Sequence, residues 1–146
     1  MDKAKYTQLV KKTAPKSKVV YDCVKAFWVG GTICLLGEII AVSIMYFFEL
    51  EREIAGTWTS IILVFLSAFL TGIGLYAKIG AYAGAGSIVP ITGFANGVAS
   101  PAIEFKTEGW VLGLGAKMFI IAGPVIVYGT VSSVAYGIIY WIMQMI

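Results

Sequence analysis

Charge is nearly absent from four long stretches of this chain, and that absence limits what it can fold into more than any motif does. Residues 54–77, 79–103 and 118–146 contain no Asp, Glu, Lys or Arg, and residues 26–48 contain only Glu38. A helix needs roughly 20 mainly apolar residues to cross a bilayer. The first, second and fourth stretches meet that by length and content. The third is long enough but rich in Gly and Pro. Of the 146 residues, 13% are charged, about half the ~25% usual in globular domains, and mean hydropathy is +0.86. These features predict an all-α membrane protein, a polytopic helical bundle. Residues 26–146 would form a single transmembrane domain with four spans near 26–48, 56–78, 80–103 and 110–142, the third broken by Gly and Pro. A soluble binding module is excluded.

The few charges set orientation. Seven of the eleven basic residues are Lys at 3, 5, 11, 12, 16, 18 and 25, ahead of the first span, so residues 1–25 read as a basic tail held in the cytoplasm. The net charge of +3 therefore marks topology, with anionic lipid or a soluble protein as an alternative contact for the tail, and does not point to nucleic acid. Glu49, Glu51, Arg52 and Glu53 then lie outside, and Lys78 ends the second span inside. If the third stretch crosses, Glu104, Lys106 and Glu108 lie outside and the C-terminus is inside; if it is re-entrant, the C-terminus is outside. Four crossings are the expectation. Residues 1–45 do not read as a signal peptide, because the apolar part is too long, carries Glu38 and ends in no small-x-small cleavage site.

The chain has no His and two Cys. That removes Ser-His-Asp and Cys-His catalysis, His-ligated metals and imidazole switches. It also leaves too few thiols for an all-cysteine zinc site. Cys23 and Cys34, eleven residues apart on one helix, would be separated by roughly 16 Å, beyond disulfide reach. With no paired carboxylates at usable spacing, no catalytic residue, metal site or cofactor is expected.

Glycine is the strongest local signal. Ten of the 17 fall between 72 and 115, and the stretch from Gly80 runs through Gly84, Gly86 and Ser87 to Pro90, Thr92, Gly93, Asn96, Ser100 and Pro101. Two prolines eleven residues apart, with Gly around them, do not make a plain helix. In hydrocarbon a broken backbone is tolerated only where protein or water satisfies it, and such segments form substrate or ion sites in many transporters. Gly84, Gly86, Ser87, Pro90, Thr92, Gly93, Asn96 and Ser100 are accordingly the candidate pore or ligand path. Thr92, Asn96 and Ser100 would share one face if helical. Close packing is the plainer alternative, through the small-xxx-small pairs Gly80/Gly84, Gly93/Gly97 and Gly109/Gly113.

The remaining spans carry small or polar stripes: Gly30, Cys34, Gly37, Glu38 and Ala41 in the first, Ser60, Ser67, Thr71, Gly74 and Lys78 in the second, Thr130, Ser133 and Gly137 in the last. They suggest self-association or partner chains. Glu38 and Lys117 are the intramembrane charges, each placed near mid-depth. Charges there are costly and functional by default, so the two are expected either to pair or to flank an aqueous path; the plainer alternative is that Lys117 snorkels to the interface, with Glu38 protonated or facing a partner chain. Trp28, Trp58, Trp110 and Trp141 read as interfacial anchors, and Pro124 as a kink in the last helix.

Several strings resemble the stage V sporulation protein AC/AE family. They are VKAFWVGG at 24–31, LTGIG at 70–74, AGAGS at 83–87, PITGFAN at 90–96 and Glu108-Gly109, with weaker likeness at 111–113, 118–119 and 125–127. The likeness covers roughly residues 20–130, and the AGAGS…P-x-TGFAN string is its specific part. Within the family, the Lys-rich start and the length look more like the AC branch than the AE branch. The resemblance implies a spore-forming Firmicute and the inner spore membrane. It implies a channel that moves dipicolinic acid with Ca2+ into the forming spore and out at germination, of the mechanosensitive type. It implies partners, namely a soluble AD subunit and a membrane AE subunit. Gly84, Gly86, Ser87, Pro90, Thr92, Gly93 and Asn96 carry over; Glu38 and Lys117 do not. The rival expectation is a non-conducting scaffold in the same complex, with the pore formed by partner chains.

Overall fold

The computed structural model describes residues 6–7 and 18–145, so most of the basic tail expected at 1–25 lies outside the described residues. The helices are α1 (Val19–Phe48), α2 (Arg52–Gly72), α3 (Leu75–Ala83), α4 (Ala85–Ile88), α5 (Ile91–Glu104) and α6 (Ala116–Met145). A 3-10 turn at Lys106–Glu108 and a π-helical turn at Trp110–Gly115 lead into α6. No strand occurs among the described residues. Three helices are long and apolar enough to cross a membrane: Val19–Phe48, Arg52–Gly72, and Trp110–Met145 with its π-helical first turns. The all-α, polytopic reading holds.

α1 and α2 form an antiparallel hairpin. Glu49 takes a left-handed conformation (φ 53°) at the end of α1, and the extended Glu51 opens α2. The two helices meet at Gly37, where a Cβ would make ordinary contact with Leu63 at 3.4 Å and Thr59 at 3.9 Å. Hydroxyls in these helices are spent locally: Thr32, Ser43, Thr57, Thr59 and Ser60 each bond the carbonyl four residues back. That lets a polar residue sit in hydrocarbon without an orphan donor.

The third apolar stretch is three short pieces. Gly84, at φ +53°, ends α3 with its N–H on Gly80 O, a conformation L-residues rarely adopt. Pro90 is extended (ψ 164°) and starts α5, its carbonyl accepting from the N–H of Gly93. Pro at a helix start costs nothing, because the N–H it lacks would be unpaired there anyway.

The register of α5 fixes how this stretch runs. The Ser67 hydroxyl donates to Thr92 O, and Thr71 meets Asn96, a step of four on both helices in the same direction. α5 is therefore parallel to α2. It is antiparallel to α6, with Gly97 beside Ile121 and Phe105 beside Gly113. The chain leaves α2 at one end, rises until Thr92 stands opposite Ser67, about 8 Å above the last residue of α2 at 1.5 Å per residue, and returns to the same end before α6 begins. This register follows the re-entrant alternative; a full crossing between α2 and α6, the expected third of four spans, does not fit it. From Pro124 to Met145 every residue of α6 is exposed, and α6 packs on α5 at its base.

The buried interior is small in volume. Its apolar members are Ala41, Ala55, Tyr76, Ala83, Ala95 and Ala122, and its polar members Thr59, Ser67, Ser87 and Thr92. Lipid gives apolar side chains no reason to cluster, so close backbone approach and hydrogen bonds hold such helices together.

This topology predicts the outcome of side-specific labelling. Single cysteines at Thr107 and Lys18 should be modified by an impermeant maleimide from one side of a sealed vesicle, and cysteines at Leu50 and Met145 from the other. Thr107 reacting together with Leu50 would mean that residues 75–104 cross completely.

Candidate functional site

The broken segment is organised around Tyr76, the one large side chain in the interior, 4% exposed. It sits in the first turn of α3 and points beneath the turn joining α4 to α5. Its Oη lies 2.7 Å from Ser87 O and 2.9 Å from Thr92 Oγ1. A phenol has one proton to give, so Tyr76 donates to the Ser87 carbonyl and accepts from the Thr92 hydroxyl. The Ser87 carbonyl is freed by the break between α4 and α5, and Tyr76 supplies what the helix would have supplied.

Thr92 is also engaged from α2, its carbonyl accepting from Ser67. One turn along, Thr71 Oγ1 lies 2.7 Å from Ser67 O and 2.9 Å from the Asn96 side-chain amide. With the Thr71 proton on Ser67 O, the amide completes the bridge by turning its NH2 to the Thr71 oxygen. Ser87 is fully buried, its hydroxyl 3.2 Å from Gly84 O. Among the described residues no buried side-chain nitrogen or oxygen lacks a partner.

Two glycines allow this geometry. Gly86 lies directly on the α1 backbone: a Cβ there would fall inside the van der Waals surface of Ala26, and Gly30 on α1 meets the Gly86 carbonyl in return. Gly93 packs equally closely on the Ile88 backbone inside the α4–α5 turn. Gly86 and Gly93 are required for steric room, since neither has a positive φ.

Of the expected path residues, Gly84, Gly86, Ser87, Pro90, Thr92, Gly93 and Asn96 are therefore gathered in one place. Within a single chain their polar groups are committed to one another and to α2 and α3. Ser100 is exposed one turn beyond Asn96. A cleft of about 520 Å³ opens beside this knot, between the start of α1 (Val19, Asp22, Cys23, Ala26) and the end of α3 (Ala81 to Ala85). Lys25 at its edge places its Nζ 4.3 Å from the Tyr21 ring and 4.6 Å from the Tyr82 ring, a contact in which the ring faces attract the ammonium charge.

The expected pairing of Glu38 with Lys117 does not occur. Glu38 is bridged by Arg52, at 3.1 Å. Lys117 is the second residue of α6, at the base of the molecule, with its Nζ 4.4 Å from the Phe105 ring. The reason is directional: with α5 returning to its own side, the start of α6 stands far from the mid-length of α1. The expected α1 stripe also divides. Gly30 meets α4, Gly37 meets α2 and Ala41 is buried, whereas Cys34 and Glu38 remain exposed.

Tyr76 and Arg52 were absent from the sequence-derived site. Tyr76 had a readable signal, because a phenol inside an apolar, glycine-rich stretch needs a hydrogen-bond partner. Arg52 had none, since its reach to Glu38 depends on how α1 and α2 cross.

Comparison with known proteins agrees with the motifs. Residues 22–139 match the family model described as SpoVAC/SpoVAEB sporulation membrane protein. The chain is 48% identical over 137 residues, 94% of its length and 91% of the relative's, to stage V sporulation protein AC of Bacillus subtilis (strain 168). No solved structure matches. The chain belongs to the SpoVAC/SpoVAEB sporulation membrane protein family.

Two substitutions separate the steric from the polar part of the knot. Gly86→Ala should lower stability by ~1–3 kcal/mol or more, because the obstruction is backbone and cannot rotate away; Gly123→Ala, which has open space around it, should be neutral. Tyr76→Phe should cost about 1–3 kcal/mol by leaving Ser87 O without a donor. Thermal unfolding in detergent, followed by tryptophan fluorescence, reads all three.

Proposed function

We propose that this member of the SpoVAC/SpoVAEB family is a channel subunit. In this reading it passes dipicolinic acid, with Ca2+, across the inner membrane of the forming spore and releases it at germination, opening under membrane tension. The seven N-terminal Lys keep its tail in the cytoplasm, and it works with the soluble AD and membrane AE subunits of the same complex. The family and the B. subtilis relative's name support sporulation and a membrane location; the broken segment supports a path through the membrane, and the solute and the partner subunits rest on the family resemblance.

The observation that carries the reading is how that segment is held. It rests on α1 through Gly86 and Gly30, and on α2 and α3 through hydroxyls, and Tyr76 is the one large buried side chain among the described residues. Backbone-to-backbone contacts between glycines can slide, whereas a core of interdigitated side chains resists it. If tension draws α1 away from α2, the knot around Tyr76 opens and frees the Ser87 and Thr92 hydroxyls, the Asn96 amide and the backbone N–H groups of the turn. A flat dianion with ring and carboxylate acceptors could pass over such donors without being held tightly.

A second reading is favoured by one specific feature. The exposed length of α6 from Pro124 to Met145 is what a subunit presents when other chains complete its bundle. On that reading the protein is a scaffold and the pore belongs to its partners.

Liposomes holding the purified full chain and loaded with dipicolinate discriminate the two. On lowering the external osmolarity, terbium fluorescence should report release above that of protein-free liposomes, and Tyr76→Phe should release at a smaller osmotic step than the unaltered chain. A chain that is correctly inserted yet releases nothing at any step would place the path in partner chains and support the scaffold reading.

A further inference from the structure

The Glu38–Arg52 pair lies where a single chain should not leave one. Gly37 stands against Thr59 and Leu63, so Glu38 is level with the middle of α2, and ten residues, about 15 Å, separate it from the last residue of α1. Both side chains are nevertheless uncovered, Arg52 at 70% and Glu38 at 52% relative exposure. An Arg at the first residue of a span ordinarily extends outward to the headgroups. Here it reaches inward along the hairpin to the carboxylate of Glu38, whose backbone is level with the middle of α2. Charged groups within a span face protein or water, not acyl chains.

The surroundings of Glu38 suit a close helix neighbour. Gly31, Cys34 and Glu38 are spaced i, i+3 and i+7, and all three are exposed on one strip of α1. Among the described residues no element packs there: Gly30 and Ala26 on the adjoining strip meet α4, and Gly37 meets α2. The strip is also complementary to itself. A two-fold axis along the membrane normal, passing beside it, would bring each copy's Arg52 to the other's Glu38 as well as its own. The four charges then balance with no third species. Two-fold contacts use the same patch on both subunits, and small residues let parallel helices approach in hydrocarbon.

We infer that a second copy of this chain packs on the Gly31–Cys34–Glu38 strip of α1, forming a two-fold dimer that shields the Glu38–Arg52 pairs from lipid.

The exposed Cys34 makes the inference testable with little change to the chain. The full protein is reconstituted in liposomes and oxidised with copper phenanthroline. The Cys23→Ser form, which keeps Cys34, should give a disulfide-linked dimer that persists on dilution with excess lipid. The Cys34→Ser form should give none, and Ile39→Cys in a chain lacking both native thiols, which points off the strip, should give none. Glu38→Gln and Arg52→Gln should each weaken the Cys34 dimer severalfold, and Glu38→Arg combined with Arg52→Glu should restore it. Because the pair is exposed in the monomer, neither single change should unfold the chain, and unchanged helical circular dichroism checks this. Absence of a Cys34 dimer overturns the inference, and thiol labelling then says what lies there instead. Reaction with an apolar maleimide alone means lipid covers the strip; reaction with a charged, water-soluble reagent means water does.

Discussion

A backbone that breaks inside hydrocarbon must have its freed N–H and C=O groups taken up by the protein itself, and this protein breaks its backbone twice between residues 83 and 91. The contact that makes the break tolerable is Gly86 lying on the α1 backbone at Ala26 and Gly30. That approach brings α4 near enough for Tyr76 to cap Ser87 and for Ser67 to reach Thr92. Lose the approach and the carbonyls exposed by Gly84 and Pro90 face lipid, where each unsatisfied group costs several kcal/mol.

The remaining architecture follows from that demand. The interior is built from alanines, hydroxyls and one tyrosine, because the helices come close through small residues and are joined by directed bonds. α5, having descended beside α2, supplies the wall on which the base of α6 packs, and α6 from Pro124 to Met145 is exposed along its length. The broken segment is thus fixed by close backbone contacts and one hydroxyl knot, next to helices with uncovered polar groups. In the proposed function, the knot is the element that tension opens.

Much of this was legible in the sequence. Runs of uncharged residues announced the membrane helices, the Gly84–Asn96 string announced a broken segment, and the same string carried the family likeness that the comparisons bear out. What the sequence withheld was direction. Hydropathy is the same for a segment that crosses and one that turns back, and a single Lys at each later boundary gave the charge rule nothing to weigh. The parallel pairing of Ser67 and Thr71 with Thr92 and Asn96 settles it, and that pairing depends on tertiary placement. The expected Glu38–Lys117 pair failed for the same cause: it assumed a full crossing that would have carried Lys117 to mid-depth. Of the polar ladder Thr92, Asn96 and Ser100, Thr92 meets Tyr76 of α3, Asn96 meets Thr71 of α2, and Ser100 is exposed.

α5 runs parallel to α2, and disulfide mapping in a chain lacking Cys23 and Cys34 reads that direction. Cysteines placed at Thr71 and Asn96 should cross-link readily on mild oxidation, and so should cysteines at Ser67 and Thr92, while Ser60 with Asn96 should not. Cross-linking of Ser60 with Asn96, in place of the two parallel pairs, would mean that the stretch crosses the membrane antiparallel to α2 and would contradict the account.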